Sequence, residues 1–200
     1  MTGATAAATP TRARPRGRSE QVRQRVARAC LDLLGAGRVD FGPADVAQRA
    51  GVTRATIYRW WPTKAALLRE ALTEHTADRL DPPDTGTWPG DVRALAARLA
   101  TFFGDPVEVS QNAIMAGGRH PDYDAVVLEH YAPLFAAWRA VIERARGRGE
   151  LRDGLDADTV ILTLVSPLLL VPLLFHRELS PGEIGRHTDL VIAATSRTPG

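Results

Sequence analysis

Arg54 and Arg59 are the residues of this chain best suited to specific chemistry. They lie in Thr53-Arg54-Ala55-Thr56-Ile57-Tyr58-Arg59. A guanidinium presents a planar fork of donors that matches the two acceptors on the major-groove edge of guanine. At helical spacing Arg54, Ala55, Thr56 and Arg59 fall on or near one exposed side, while Ile57 and Trp60 face inward. Lys64 adds a second kind of group. It is the only lysine among 25 basic residues and stands where the next helix should begin. Backbone N–H groups and the helix dipole favour an anion there, and a compact ammonium beside them would contact one phosphate. The competing reading for each of these cations is a solvated surface charge.

Such side chains need a rigid support, and the flanking residues describe one. Ala47, Gly51 and Ile57 are spaced as two steeply crossing helices require. Ala47 is small enough for close approach, Gly51 can take the positive φ of a tight turn, and Ile57 plugs the gap. Gly42 and Pro43 open the first of the two helices, with proline at its first position. Thr53 caps the second, and Trp60-Trp61-Pro62 ends it. A helix-turn-helix serves mainly to hold its second helix out for a major groove. Upstream, Ser19 is the expected cap of a helix carrying Val22, Val26, Ala29, Cys30, Leu33 and Leu34 on one face. Downstream, Thr63 caps a helix with Leu67, Leu68, Ala71 and Leu72 inward, which is expected to run to Leu80.

The charge is divided to match. Residues 1–80 hold 14 basic and 7 acidic groups, net +7, and residues 81–200 hold 11 and 16, net −5. The halves sum to the overall +2. A basic first part joined to an acidic second part suits a polyanion-binding module on a partner that is not one. Residues 1–18 have no periodicity and read as a disordered arm, in which Arg12, Arg14, Arg16 and Arg18 are either solvated or laid along phosphates. Asp81-Pro82-Pro83 and the turn formers to residue 90 mark the clearest boundary. The expected domains are therefore 1–18, 19–80 and 81–200.

Every periodic segment beyond the boundary reads as helix: Asp91–Phe103, Val107–Ala116, Tyr123–Arg146 with Pro133 inside it, Asp156–Phe175, and a last helix over 181–195. Ser180-Pro181-Gly182-Glu183 opens that last helix as a complete capping box. No strand pattern and no repeat is evident, so the fold class is all-α. The apolar run Val160–Phe175 is shorter than the ~18 residues of a membrane span and contains Pro167 and Pro172. It reads as a buried helix in a cytoplasmic protein without a signal peptide or membrane partner. Cys30, the only cysteine, reads as a small buried hydrophobe. The five histidines (His75, His120, His130, His176 and His187) lack the paired spacing of a metal site. No phosphate-cradling glycine loop or catalytic constellation is present, so neither an enzyme nor a cofactor is expected.

Taken together, Asp45-Val46-Ala47, Ala50-Gly51-Val52-Thr53, Thr56-Ile57-Tyr58 and Trp61-Pro62-Thr63-Lys64 followed by Leu67 resemble the tetracycline-repressor (TetR) family of transcription regulators. The likeness is specific over about 50 residues, Val22 to Leu72; beyond these only the layout matches. Trp61 departs from the family's usual phenylalanine, and Ala55 stands where glycine or proline is common. The resemblance implies a helix-turn-helix unit that binds double-stranded DNA, with Thr53, Tyr58 and Lys64 on phosphates and Arg54, Ala55, Thr56 and Arg59 at the groove. It also implies a C-terminal helical domain that binds a small-molecule effector and dimerises. Phe103, Met115, His120, Tyr131, Phe135 and Trp138 are the candidate pocket, with Trp88, Phe102, Gln111, Asn112 and His130 as further candidates. The competing reading of that aromatic stripe is ordinary core. The helices at 156–175 and 181–195 would form half of a two-fold, four-helix dimer interface. A repressor released from a palindromic operator by its effector is the leading expectation; an activator or a ligand-independent regulator of the same fold is the alternative.

Overall fold

The computed structural model describes residues 15–76 and 81–197. The helices are α1 (Pro15–Gly35), α2 (Pro43–Ala50), α3 (Arg54–Trp60), α4 (Lys64–Thr76), α5 (Trp88–Gly104), α6 (Pro106–Ala116), α7 (Pro121–Gly147), α8 (Ala157–Phe175) and α9 (Pro181–Thr195). Among the described residues there is no strand, only an isolated bridge between Leu151 and Ser196 that ties the end of α9 to the loop after α7.

Helix ends follow the local chemistry. α5, α6, α7 and α9 each carry proline in their first turn, where the missing N–H would have had no partner. This moves α5 to start at Trp88 rather than Asp91, with Thr87 Oγ1 accepting from the Gly90 N–H at 3.3 Å. α1 likewise begins at Pro15, so Ser19 lies inside the helix and does not cap it. Arg16 and Arg18 thus belong to a helix rather than an arm; Arg12, Arg14 and the expected end of α4 at Leu80 lie outside the described residues. The capping box at Ser180 forms as read: Ser180 Oγ accepts from the Glu183 N–H, and Glu183 Oε2 accepts from the Ser180 N–H at 2.9 Å.

α1, α2, α3 and α4 pack around Val26, Cys30, Leu34, Val46, Ile57, Leu67 and Leu72, all buried. Burial pushes the Cys30 thiol up to about 12, so it stays an inert thiol at neutral pH. The second part packs α8 against α5, α6, α7 and α9. The two parts share one core: α6 lies against α1, and α7 against α4. Trp88, a pocket candidate in the sequence, is instead a staple in this core. Its Nε1 donates to Thr195 Oγ1 at 2.8 Å and its N–H to Glu150 Oε2 at 2.5 Å.

α8 is the most apolar helix. It has 19 residues, and by length and composition alone it could cross a membrane. Val160, Ile161, Leu164, Val165 and Leu168 are buried against the neighbouring helices. The opposite stripe, Leu162, Leu170, Leu174 and Phe175, is exposed, as is Leu190 of α9. Within the chain the helix is therefore covered on one side, and the uncovered side is the one expected to meet a partner.

Candidate nucleic-acid interface and effector cavity

The recognition unit begins with the turn. Gly51 ends α2 at φ +63°, and its N–H reaches the Ala47 and Gln48 carbonyls. A Cβ there would meet nothing closer than 3.9 Å, so the left-handed backbone, not crowding, makes glycine the right residue. Val52 then donates to the Ala47 carbonyl at 3.0 Å, and Thr53 caps α3 by accepting from the Thr56 N–H at 3.2 Å. Thr53 Oγ1 and Thr56 Oγ1 are 2.9 Å apart. Ile57 is fully buried beneath the helix.

Two tryptophans close the far end, and they divide the work. Trp61 is buried and donates from Nε1 to Glu70 Oε2 at 3.2 Å, locking α3 to α4. Trp60, expected to face inward, is only half-buried, and the Arg59 guanidinium lies 5.8 Å from its ring centroid. The outer face of α3 carries Arg54, Ala55, Tyr58 and Arg59, all exposed, with Thr53 exposed and Thr56 half-buried. Among the described residues, Arg54 and Arg59 make no ion pair. Their basic neighbours do: Arg49 holds Asp32 at 3.1 Å, Arg23 faces Glu70 at 3.6 Å, and Arg69 holds Glu129 at 2.8 Å. Among the described residues the face of α3 thus presents two guanidinium groups with no carboxylate partner, as does Arg25 on α1.

Lys64, expected at a phosphate, has a contact within the protein. Its ammonium donates to the Val39 carbonyl and lies 4.9 Å from the Phe41 ring centroid. Burial lowers its pKa, partly opposed by Asp40. The side chain ties the start of α4 to the loop before α2, while Thr63 caps α4 by accepting from the Ala66 N–H at 3.1 Å. In the free protein Lys64 is therefore a tie between the start of α4 and the Val39 carbonyl.

The C-terminal part brings four of the six pocket candidates together. Phe103, Tyr131, Phe135 and Trp138 join Phe102 in a chain of edge-to-face rings, with centroids 5.0–6.4 Å apart. Met115 is half-buried against the same core. His120 is not with them: it is exposed at the N-cap of α7 and lines a separate cleft with Lys64 and Tyr123. Beside the rings lies a groove of about 610 Å³ walled by Leu95, Leu99, Phe102, Leu134 and Trp138, with Arg98 at its edge.

The sequence reading missed the centre of this region. Glu108 of α6 is fully buried. Its Oε2 accepts from Tyr131 Oη at 2.5 Å and Gln111 Nε2 at 2.6 Å, and its Oε1 lies 3.0 Å from His75 Nε2. A carboxylate in the first turn of a helix ordinarily reads as a solvated partner of the dipole, so nothing in its position signalled burial. Its i+3 and i+4 neighbours Gln111 and Asn112, singled out as polar candidates, were the available clue.

A family model described as bacterial regulatory proteins of the tetR family matches residues 40–71, and one described as the tetracyclin repressor-like C-terminal domain matches residues 82–191. The chain belongs to the TetR family of transcription regulators. The HTH-type transcriptional regulator YdeS of Bacillus subtilis is 31% identical over 176 residues, which is 85% of this chain and 84% of that protein. The HTH-type regulator AqdR of Rhodococcus erythropolis is 33% identical over 137 residues, 68% of this chain and 65% of that protein. The fold also matches a TetR regulator from Agrobacterium tumefaciens with a TM-score of 0.69 at 18% identity, covering 92% of this chain and 95% of that one. The flavonoid-responsive regulator FrrA matches with a TM-score of 0.66 at 22% identity, covering 90% of this chain and all of that one. As a TetR regulator the chain is a DNA-binding protein and not an enzyme. Its all-α fold with an N-terminal helix-turn-helix is the one expected from the sequence.

Proposed function

We propose that this regulator is a homodimeric, ligand-responsive repressor that reads a palindromic operator with α3. The observation that carries the reading is the exposed pair Arg54 and Arg59, without ion-pair partners among the described residues, on a helix fixed by Ile57 and Trp61. In this reading Arg54, Ala55, Thr56 and Arg59 face base edges, and Thr53 and Tyr58 contact phosphates from either end of the helix. Lys64 adds a phosphate contact with the ammonium protons that Val39 leaves free.

The exposed apolar stripe of α8, with Leu190 of α9, is the surface a second copy would cover. A two-fold axis through it would set two α3 helices about one turn of DNA apart. The effector would enter the groove between α5 and α7. By favouring a dimer with its α3 helices at the wrong separation, it would weaken operator binding through a coupling of ~1–3 kcal/mol. α4 is the mechanical link, because it packs on α1 and on α7. The ligand response of FrrA, on the same fold, is in keeping with this scheme.

A fluorescence-anisotropy titration on the DNA upstream of its own gene, and on a random-site selection, tests the proposal. Salt-sensitive, sequence-specific binding is expected. Binding that is equal for all sequences, or absent, sinks it.

A further inference from the structure

Glu108 is a buried carboxylate whose two oxygens are treated differently. Oε2 receives Tyr131 and Gln111. Oε1 contacts His75 Nε2 at 3.0 Å but accepts no hydrogen bond. Gln111 Oε1, Tyr123 Oη and His130 Nε2 are also buried without a hydrogen-bond partner. All of them belong to one neighbourhood. Gln111 bonds Glu108 directly, while Tyr123 and His130 both feel its charge. Burial holds His130 below its ordinary pKa and pushes both tyrosines up, so these groups stay neutral at neutral pH. Native interiors pair nearly all such atoms.

The 610 Å³ groove is one side chain away. Phe102 lines it and is in ring contact with His75 at 6.5 Å and Tyr131 at 6.3 Å, the side chains that touch Glu108. Gln111 Oε1, which has no hydrogen-bond partner, and Glu108 Oε1, which the His75 imidazole meets at 3.0 Å without a hydrogen bond, select a donor-rich, positively charged group and repel an anion. The aromatic walls select a flat ring.

We propose that Glu108 anchors the effector, and that the effector is a planar aromatic compound bearing a protonated amine or amidine. The nitrogen donates to Glu108 Oε1 and Gln111 Oε1, and the ring lies against Phe102 and Trp138. The inference rests on the ligand-responsive reading above and narrows it to a chemical class. It also gives the ligand a lever: it competes for the oxygen that faces His75, a residue of α4.

Isothermal titration calorimetry of the full-length protein with naphthylmethylamine, naphthylmethanol and naphthoate tests the proposal. The amine should bind about tenfold or more tighter than the alcohol, with naphthoate weakest. Glu108→Gln should abolish the amine's advantage. Because the site is part of the core, Tyr131→Phe is measured beside it, as it disturbs the same packing and keeps the carboxylate. Amine preference kept in Tyr131→Phe and lost in Glu108→Gln supports the assignment. Equal loss in both, naphthoate binding as tightly as the amine, or no binding by any of the three overturns it. Operator binding is followed separately. Amine preference without operator release sustains the site and overturns the ligand-responsive reading. Operator release by the amine that is unchanged in Glu108→Gln sustains that reading and overturns the site.

Discussion

The two parts of the molecule use polar side chains in opposite ways. In α1–α4 the groups proposed for function point outward: Arg54, Tyr58 and Arg59 are exposed, and the core beneath them is apolar. In α5–α9 the groups of interest point inward, with Glu108 and Gln111 fully buried and tied to Tyr131. The difference follows from the partner each must meet. DNA is a large polyanion that stays outside the fold, so cations can remain hydrated until it arrives. A small ligand must be taken inside, where a few polar groups define it against an apolar wall.

The largest expected effect falls on the surface that would join two copies. Leu170→Glu combined with Leu174→Glu should convert a dimer to a monomer in analytical ultracentrifugation, and weaken operator binding by about a hundredfold or more. A double variant that stays dimeric would place the interface elsewhere. Next comes the apolar support of the outward face. Ile57→Ala removes a fully buried side chain and should cost about 2–5 kcal/mol in denaturant unfolding. A loss below ~1 kcal/mol would mean that α3 is held mainly by Trp61.

The cations proposed to meet DNA should then separate by role. Arg54→Ala or Arg59→Ala should cost about 1–3 kcal/mol on the preferred operator and relax the choice at one base position. Lys64→Ala should weaken binding to all sequences and lower the salt slope by about one. Because Lys64 also holds the Val39 carbonyl, it should lower the melting temperature as well, which the arginine variants should not. Unchanged salt slope with lowered stability would leave Lys64 as a tie only.

The smallest effect concerns the inward part and pH. Glu183 is held down to about 2 by Arg177 first, then by the Ser180 N–H and hydroxyl. A depressed carboxyl stabilises the folded form fully above its unfolded value of about 4.3 and loses that contribution as pH falls toward 2. The hydrogen-exchange protection factor at the start of α9 should therefore fall over that window and stay flat from pH 5 to 8. Asp91 shifts the same way: burial opposes its charge, but Thr85 and Arg148 outweigh it. Asp91→Asn should accordingly narrow the difference between stability at pH 7 and at pH 3.

What could be read in advance tracks sequence distance. The turn at Gly51, the cap at Thr53 and the capping box at Ser180 depend on neighbours within a few residues, and all three formed as read. Starts were misplaced where proline permits an extra turn, at Pro15 and Trp88. Trp60, expected inward, packs against the core but keeps part of its surface exposed, while Trp61 is buried. Four aromatic candidates cluster, but His120 does not, since the α6–α7 turn carries it to the surface.

By itself the sequence determined the all-α class, the helix-turn-helix and the residues on its outer face. Hydrophobic periodicity and turn chemistry act over a few residues, so one segment carries the whole signal. Tertiary structure alone decided that Glu108 is buried beside His75, Gln111 and Tyr131, that Lys64 turns inward, and that α8 leaves one apolar side uncovered. Those facts depend on which helix lies over which. Burial of Glu108 is set by the packing of Tyr131 and His75, 23 and 33 positions away, beyond the reach of a helix-period pattern.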